Sequence, residues 1–185
     1  MKRIFATLFV AAMFLMGGCE QDDNNTTDKY LATSQLKEIT LENTSIINTS
    51  VGSSSMGVTI LQDYNYRYNL RIYKGSIAIV PFYRQGGAYS NEAYAEDKEL
   101  WAGIEDKGVY ASVEELSGMP VPGGSGFYVF GDKKCQYAAS FQPNHGYSAT
   151  MGLESQSQTV VIYAKDYTLD SEGTLLTATL EYKLR

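Results

Sequence analysis

The chain has 185 residues, of which 44% are apolar, and its 21 acidic residues against 15 basic ones give a net charge of −6 at neutral pH. This length predicts one typical domain with its own hydrophobic core. An acidic surface repels phosphate backbones, which nucleic-acid-binding proteins neutralise with clustered lysine and arginine, so we expect no nucleic-acid partner.

The first 18 residues have the three parts of a secretory signal peptide. Lys2 and Arg3 form a basic start, residues 4–16 form an apolar core, and two glycines end the segment. The apolar core has 13 residues, whereas a helix needs roughly 20 to cross the hydrocarbon of a bilayer, so a stable membrane span is not expected. Removal of the segment leaves 167 residues with a net charge of −8.

Cys19 directly follows "LMGG", and this pattern resembles a bacterial lipobox, in which the cysteine thiol is alkylated by diacylglycerol and the chain is cleaved before it. The leucine usual three residues before the cysteine is Met16 here. We predict a lipoprotein signal peptide over 1–18 and a lipidated Cys19. Its acyl chains would be the link to the membrane and would anchor the protein in the outer membrane.

The segment "EQDDNNTTD" at 20–28 contains no apolar side chain and cannot bury anything. We therefore predict a lipidated N-terminus and flexible tether over 19–28, followed by a single domain over 29–185. Acidic residues directly after a lipidated cysteine resemble the signal by which Bacteroidetes lipoproteins reach the cell surface, so we favour surface display over the periplasmic face. With Cys19 lipidated, Cys135 is the only thiol left, and no internal disulfide forms.

Beyond the tether the dominant hydrophobic period is two, which is typical of β-strands. The segments with this pattern are 55–61, 64–73, 76–83, 125–131, 134–141, 146–152, 159–167 and 174–184. Turn residues at Lys74-Gly75 and at 170–173 predict two antiparallel hairpins, and a further turn is expected at 143–146.

The two hairpins also predict which side chains share a face. Tyr68, Leu70 and Ile72 should face the same side as Ile77 and Ile79. In the last strand, one face is predicted to comprise Thr174, Leu176, Ala178, Leu180, Tyr182 and Leu184.

Few segments of the sequence have a pattern that is typical of helices. The sequence "SVEE" at 112–115 is a capping-box pattern that predicts a single helical turn ending before Gly118. Residues 29–41 and 91–101 are each interpreted as a short helix. The predicted fold is therefore mainly β, an antiparallel β-sandwich or small β-barrel with one or two short helices.

Three segments in the second half, "VYASVEELSGMPVPGGSGFYV", "PNHGYSATM" and "TVVIYAKDYTLDSEGTLLTATLEYKL", occur in an order and spacing that resemble a family of Bacteroidetes lipoproteins of unknown function. The resemblance covers roughly residues 105–185. Its motifs are structural rather than catalytic, so it implies a β-rich envelope domain and no known activity.

Catalytic and metal chemistry have little support in the sequence. His145 is the only histidine, and no closely spaced acidic or cysteine ligands accompany it, so we predict no metal site and no cofactor. We expect His145 to occupy a bridge or left-handed turn position. A Cys135–His145 pair fails on distance, because six or more strand residues at about 3.3 Å each separate them by roughly 20 Å, whereas a dyad needs about 3 Å.

No G-x-S-x-G elbow, Walker lysine or G-x-G-x-x-G loop occurs either. Pairs of adjacent carboxylates lie in polar stretches and are interpreted as solvated surface. We predict no catalytic residues and no enzyme, with a hydrolase as the alternative.

The candidate ligand-binding residues are the alternating tyrosines Tyr64, Tyr66 and Tyr68, together with Trp101, the sole tryptophan. Exposed rings would stack on a sugar or form a platform for a protein, and the asparagines and arginines between residues 65 and 71 would bind hydroxyls. The other interpretation is that the tyrosine face is core, because it continues into apolar residues of the same strand, and we favour this interpretation.

Taken together, the residues predict an outer-membrane, lipid-anchored binding or accessory module of the cell envelope, with a glycan or an envelope protein as its ligand. The alternative is a structural or adhesive surface component whose partner is a protein.

Replacement of the predicted anchor tests this assignment. Cys19→Ser should abolish fatty-acid labelling and leave the chain unprocessed or soluble, because a serine hydroxyl cannot form the thioether to diacylglycerol. Metabolic acyl labelling and membrane fractionation measure both effects, with Cys135→Ser as the matched control that keeps its label. Labelling and fractionation of Cys19→Ser like those of the wild type would refute the anchor.

Overall fold

A computed structural model describes residues 35–47, 50–62, 64, 66–85, 87–90, 100–118, 138–153 and 156–185. The predicted signal peptide, Cys19, the tether, the strand predicted over 125–131 and Cys135 lie outside the described residues. The elements are β1 (Lys37–Thr44), β2 (Ser53–Ser54), β3 (Gly57–Gln62), β4 (Tyr66–Tyr73), β5 (Ser76–Gln85), β6 (Ala88–Ser90), β7 (Leu100–Val109), α1 (Val113–Ser117), β8 (Ala138–Ser140), β9 (His145–Leu153), β10 (Gln156–Leu169) and β11 (Leu175–Leu184).

The strands form one 11-stranded sheet that curls into a nearly closed barrel. Its main path runs β2-β3-β4-β1-β11-β10-β9-β7, and β5 pairs with β4, β6 and β8. The mainly β fold with a small barrel and a short helix is thus as predicted. No helix in the part of the chain that the structure describes is long and apolar enough to cross a membrane.

The strand β1 joins the two halves of the barrel. It pairs antiparallel with β11 over residues 37–42 and parallel with β4 at Asn43 and Thr44. The helix predicted over 29–41 is therefore wrong for residues 37–41, and the helix predicted over 91–101 is wrong at Leu100 and Trp101, which begin β7. In both places a backbone partner distant in sequence overrides the weak local pattern.

Both predicted hairpins are confirmed. Lys74 (φ 48°) and Gly75 (φ 76°) form a tight turn with two left-handed residues between β4 and β5, which suits the twist of an antiparallel pair. All five side chains predicted to share a face in this hairpin lie in the hydrophobic core. In the β10–β11 turn the Asp170 carboxylate accepts the backbone N–H groups of Glu172 (2.9 Å) and Thr174 (2.8 Å).

The predicted face of β11 is correct from Ala178 onward and wrong at its start. Leu176 is an extra residue in β11 that bulges out of its pairing with β10, so the alternation shifts by one position. As a result Leu175 is fully buried, whereas the side chain of Leu176 is 42% exposed.

Two glycines with positive φ differ in the space around them. Replacing each with alanine therefore distinguishes the cost of backbone strain from the cost of crowding. A Cβ at Gly75 (φ 76°) would lie 2.6 Å from Cγ2 of Thr174, whereas a Cβ at Gly173 (φ 83°) would meet nothing within 4 Å. Gly173→Ala should cost about 1 kcal/mol of folding free energy from φ alone. Gly75→Ala should cost about 2–3 kcal/mol because the turn must also move away from Thr174. Urea denaturation measures the free energy of unfolding of both variants. Equal losses of stability would contradict the predicted clash with Thr174.

Candidate functional site

The structure separates the four candidate ligand-binding residues. Tyr66 and Tyr68 are buried in the core, 1% and 0% exposed, so the favoured interpretation of the tyrosine face holds for these two residues. Tyr64 is 75% exposed, and the guanidinium carbon of Arg84 lies 4.6 Å from the centre of its ring. Trp101 lies in β7 opposite Gly152, and its side chain is outside the described part of the structure.

The opposite face of β4 is also buried at Asn69 and Arg71, two of the residues that the ligand-binding interpretation assigned to hydroxyls. Asn69 is buried and donates to the carbonyl oxygen of Val51 (2.6 Å) and the hydroxyl of Thr59 (3.0 Å). Arg71 is 1% exposed, and its guanidinium donates to the carbonyl oxygen of Ile46 (2.8 Å). Burial lowers the pKa of Arg71 to about 10, which still leaves it charged at neutral pH.

A different group of polar residues meets at one end of the barrel, where β7 ends and β9 begins; we call this end the rim. Asp106 and His145 continue the inward-facing rows of β7 and β9 beyond the core. Nδ1 of His145 lies 2.8 Å from both carboxylate oxygens of Asp106, and each side chain is about a third exposed or less. A bulge over Lys107 and Gly108 (φ 87°) aligns the two residues, and Asp106 also accepts the N–H of Gly108 (2.8 Å).

The turn before β9 differs from the prediction in one detail. The turn is present, but Asn144 takes the left-handed conformation (φ 62°), and His145 is the first residue of β9. The N–H of His145 donates to the carbonyl oxygen of Gln142 (3.3 Å) and closes the turn. The left-handed position thus falls to asparagine, which tolerates it because its short polar side chain bonds locally.

Below the rim pair, Tyr147 is completely buried and holds the turn in place. Its hydroxyl oxygen accepts the N–H of Gln142 (2.7 Å) and lies 3.3 Å from the carbonyl oxygen of Ser140. Burial raises the pKa of Tyr147 to about 12; the negative charge of Asp106 adds to the rise and the hydrogen bond from Gln142 opposes it.

On the outer side of the rim lies a shallow depression of about 470 Å³, the rim depression, which is lined by Val109, Tyr110, Ala111, Glu115, Asn144 and Tyr163. Its lining mixes polar and apolar groups, and the side chain of Val109 is 74% exposed there. The hydroxyl of Tyr163 and the side-chain amide of Asn144 have no hydrogen-bond partner among the described residues. The depression therefore combines two aromatic rings, an amide and a carboxylate.

Local packing builds this depression. The predicted helical turn is confirmed as α1, with the Ser112 hydroxyl accepting the N–H of Glu115 (3.2 Å). Leu116 of α1 packs against Val161 on the outer face of β10. Gly146 lies directly beneath, and a Cβ there would approach Leu116 to 2.7 Å and Tyr110 to 3.0 Å.

Sequence reasoning missed the rim depression and predicted a different set of residues. Its lining comes from the end of β7, from α1, from the turn before β9 and from β10, and only the register of the barrel brings these segments together. The local signals that point to it are the capping box at 112–115 and the turn at 143–146.

The rim pair offers limited chemistry. Because Asp106 occupies Nδ1 of His145, Nε2 is the nitrogen that could exchange a proton, as in an acid–base pair. Within the described ranges no serine, threonine or cysteine side chain is hydrogen-bonded to His145. Nor do those ranges contain a group of three or more histidine, cysteine, aspartate or glutamate residues that could hold a metal ion. Cys135, the predicted lone thiol, lies outside them.

The chain matches no family model, no curated protein and no solved structure. The resemblance over residues 105–185 to a lipoprotein family stays a prediction.

The raised pKa of Tyr147 predicts a pH dependence of stability. An unfolded tyrosine ionises near pH 10, but the folded protein holds this proton up to about pH 12. The stabilisation is therefore complete below pH 10 and is lost as the pH rises through 12. Tyr147→Phe should cost about 1–2 kcal/mol at pH 7, because the N–H of Gln142 loses its acceptor. Its stability should fall less steeply than that of the wild type between pH 10 and 12.

Urea denaturation at a series of pH values measures both slopes. Burial raises the pKa of Tyr182 too, so part of the slope should persist in the variant. Equal slopes for the variant and the wild type would contradict the assignment to Tyr147.

Proposed function

We propose that the protein is a non-catalytic binding or accessory module of the bacterial cell envelope. A lipid on Cys19 anchors it to the outer membrane, and the tether over 19–28 carries the barrel at the cell surface. The lipobox pattern and the acidic tether support the location. The rim depression supports the binding role and is the observation that carries it.

Two features of the rim depression favour recognition of a ligand. Val109 presents an apolar side chain that is 74% exposed, although burial of its surface would be worth roughly 25 cal/mol per Å². The Asn144 amide and the Tyr163 hydroxyl beside it keep hydrogen-bonding capacity that no described residue uses. An exposed apolar side chain beside polar groups with unused hydrogen-bonding capacity is a suitable surface for contact with a partner.

A structural or adhesive role is the second candidate, and a separate observation favours it. Leu169 and Leu176, at the end of the β10–β11 hairpin, are 39% and 42% exposed. These two apolar side chains at the end of a hairpin are the contact that a partner protein would cover in this role. The hydrolase alternative has the Asp106–His145 pair in its favour.

Site-specific photo-crosslinking in living cells tests the proposal. A photoreactive amino acid in place of Val109 should give an adduct with an envelope component. Tyr163→Ala in the same chain should reduce this adduct severalfold, because it removes one wall of the depression. The matched control carries the photoreactive group at Leu169, on the hairpin.

The two functions give different patterns. An adduct at Val109 that depends on Tyr163 supports a binding module at the rim. An adduct at Leu169 with none at Val109 contradicts it and favours the structural role. A protein ligand should give a discrete band, whereas a polysaccharide should give a ladder.

A further inference from the structure

We propose that the rim depression binds a basic side chain, lysine or arginine, of a protein partner. This inference rests on the proposed function, since it names the ligand of the same site. Three properties of the depression carry it: a carboxylate held in place by the backbone, an excess of negative charge around it, and the ring of Tyr163 beside exposed apolar side chains.

The carboxylate is that of Glu115. One of its oxygens, Oε2, accepts the backbone N–H of Ala111 (2.8 Å), so the side chain is held over the depression. The other oxygen receives no hydrogen bond from any residue in the described ranges. The loop beneath is fixed too, because the N–H of Tyr110 donates to the carbonyl oxygen of Asn144 (3.0 Å). A charged acceptor is thus ordered before any ligand arrives, which lowers the entropic cost of binding.

The surrounding charge selects against anions. Within residues 105–115 there are four carboxylates and one lysine. That lysine, Lys107, is bound to Glu105 (2.9 Å), and Asp106 holds His145. Glu114 and Glu115 are both exposed, so they keep most of their negative potential toward solvent. A cationic group gains from this potential, whereas a neutral sugar does not.

The remaining surface suits the rest of a long basic side chain. Lysine and arginine carry apolar stems that pack on apolar surface while the charged head reaches a polar group. Val109 and Ala111 are exposed and offer that apolar surface, and the ring of Tyr163, which lines the depression, can attract a cation. The head would then meet Glu115 in a charge-assisted hydrogen bond.

The shape favours a side chain of a polypeptide over a free small molecule. Sites for small ligands are concave and bury most of the ligand surface, whereas the rim depression is shallow. A side chain that projects from a partner needs only its own stem and head covered, and the rest of the partner rests on the surface around the site.

Peptide titrations followed by NMR test the inference on the ¹⁵N-labelled full chain in detergent micelles. The probes are acetyl-Gly-Gly-Arg-Gly-Gly-amide and the same peptide with citrulline, which keeps the shape of arginine without its charge. The arginine peptide should shift the amide signals of Val109, Ala111 and Asn144 in a saturable way at millimolar concentration. The citrulline peptide should shift them much less.

Two pairs of variants sharpen the result. Glu115→Gln keeps an acceptor for Ala111 and should weaken arginine-peptide binding about threefold. Glu172→Gln removes the same charge from the turn at the far end of β10 and should have no effect. Tyr163→Leu should weaken binding, whereas Tyr163→Phe, which keeps the ring and loses the hydroxyl, should not.

Equal shifts from the citrulline and arginine peptides, or equal affinities for Glu115→Gln and the wild type, would overturn the inference. Neutral maltohexaose that shifts the same amides and loses affinity in Tyr163→Phe would make the depression a sugar site instead. If no peptide binds but the adduct at Val109 forms in cells, the basic ligand is refuted and the binding module stands. If the adduct also fails to form, the proposed function fails with it.

Discussion

Tyr68 reaches across the barrel interior from β4 and donates its hydroxyl proton to the carbonyl oxygen of Gly152 in β9. Without such a partner a buried hydroxyl costs about 1–3 kcal/mol, so the bond ties β4 to β9 across the interior. Tyr66 and Tyr147 are buried in the same core, and these large rings fill much of the interior. Because little space is left in the interior, a ligand would contact the outer surface or the rim of the barrel.

The same strand shows how a polar face becomes part of the interior. Asn69 and Arg71 point away from the tyrosine core, yet both are buried, and the backbone at Val51 and Ile46 lies against them. Backbone carbonyl oxygens take the place of water as their acceptors. Hydrogen bonds to carbonyl oxygens offset part of the cost of burying a cation, and burial still lowers the pKa of Arg71.

The sequence predicted those parts of the fold that are determined by residues close to one another in the chain. Lys74-Gly75 and the segment 170–173 consist of residues that favour tight turns over strands or helices. The capping box at 112–115 is a local pattern that predicts α1 without information from the rest of the chain. The strand β1 was missed because its partners, β11 and β4, are remote in sequence. The rim depression was missed for the same reason: Val109, Asn144 and Tyr163 meet only through the register of β7, β9 and β10.

The pairing of β1 with β11 also sets the order in which the barrel can assemble. The hydroxyls of Thr40 and Thr179 lie 2.9 Å apart across this pair, although 139 positions separate them in the chain. A chain that is synthesised from its N-terminus exposes β1 early, and β1 cannot pair with β11 until the β11 segment has been made. Contacts between such distant segments form slowly, because the whole intervening loop must be closed first. While the chain is being made, β1 therefore lacks its β11 partner, and Glu38 and Glu42 place charged side chains along that edge, which disfavours pairing with the wrong chain.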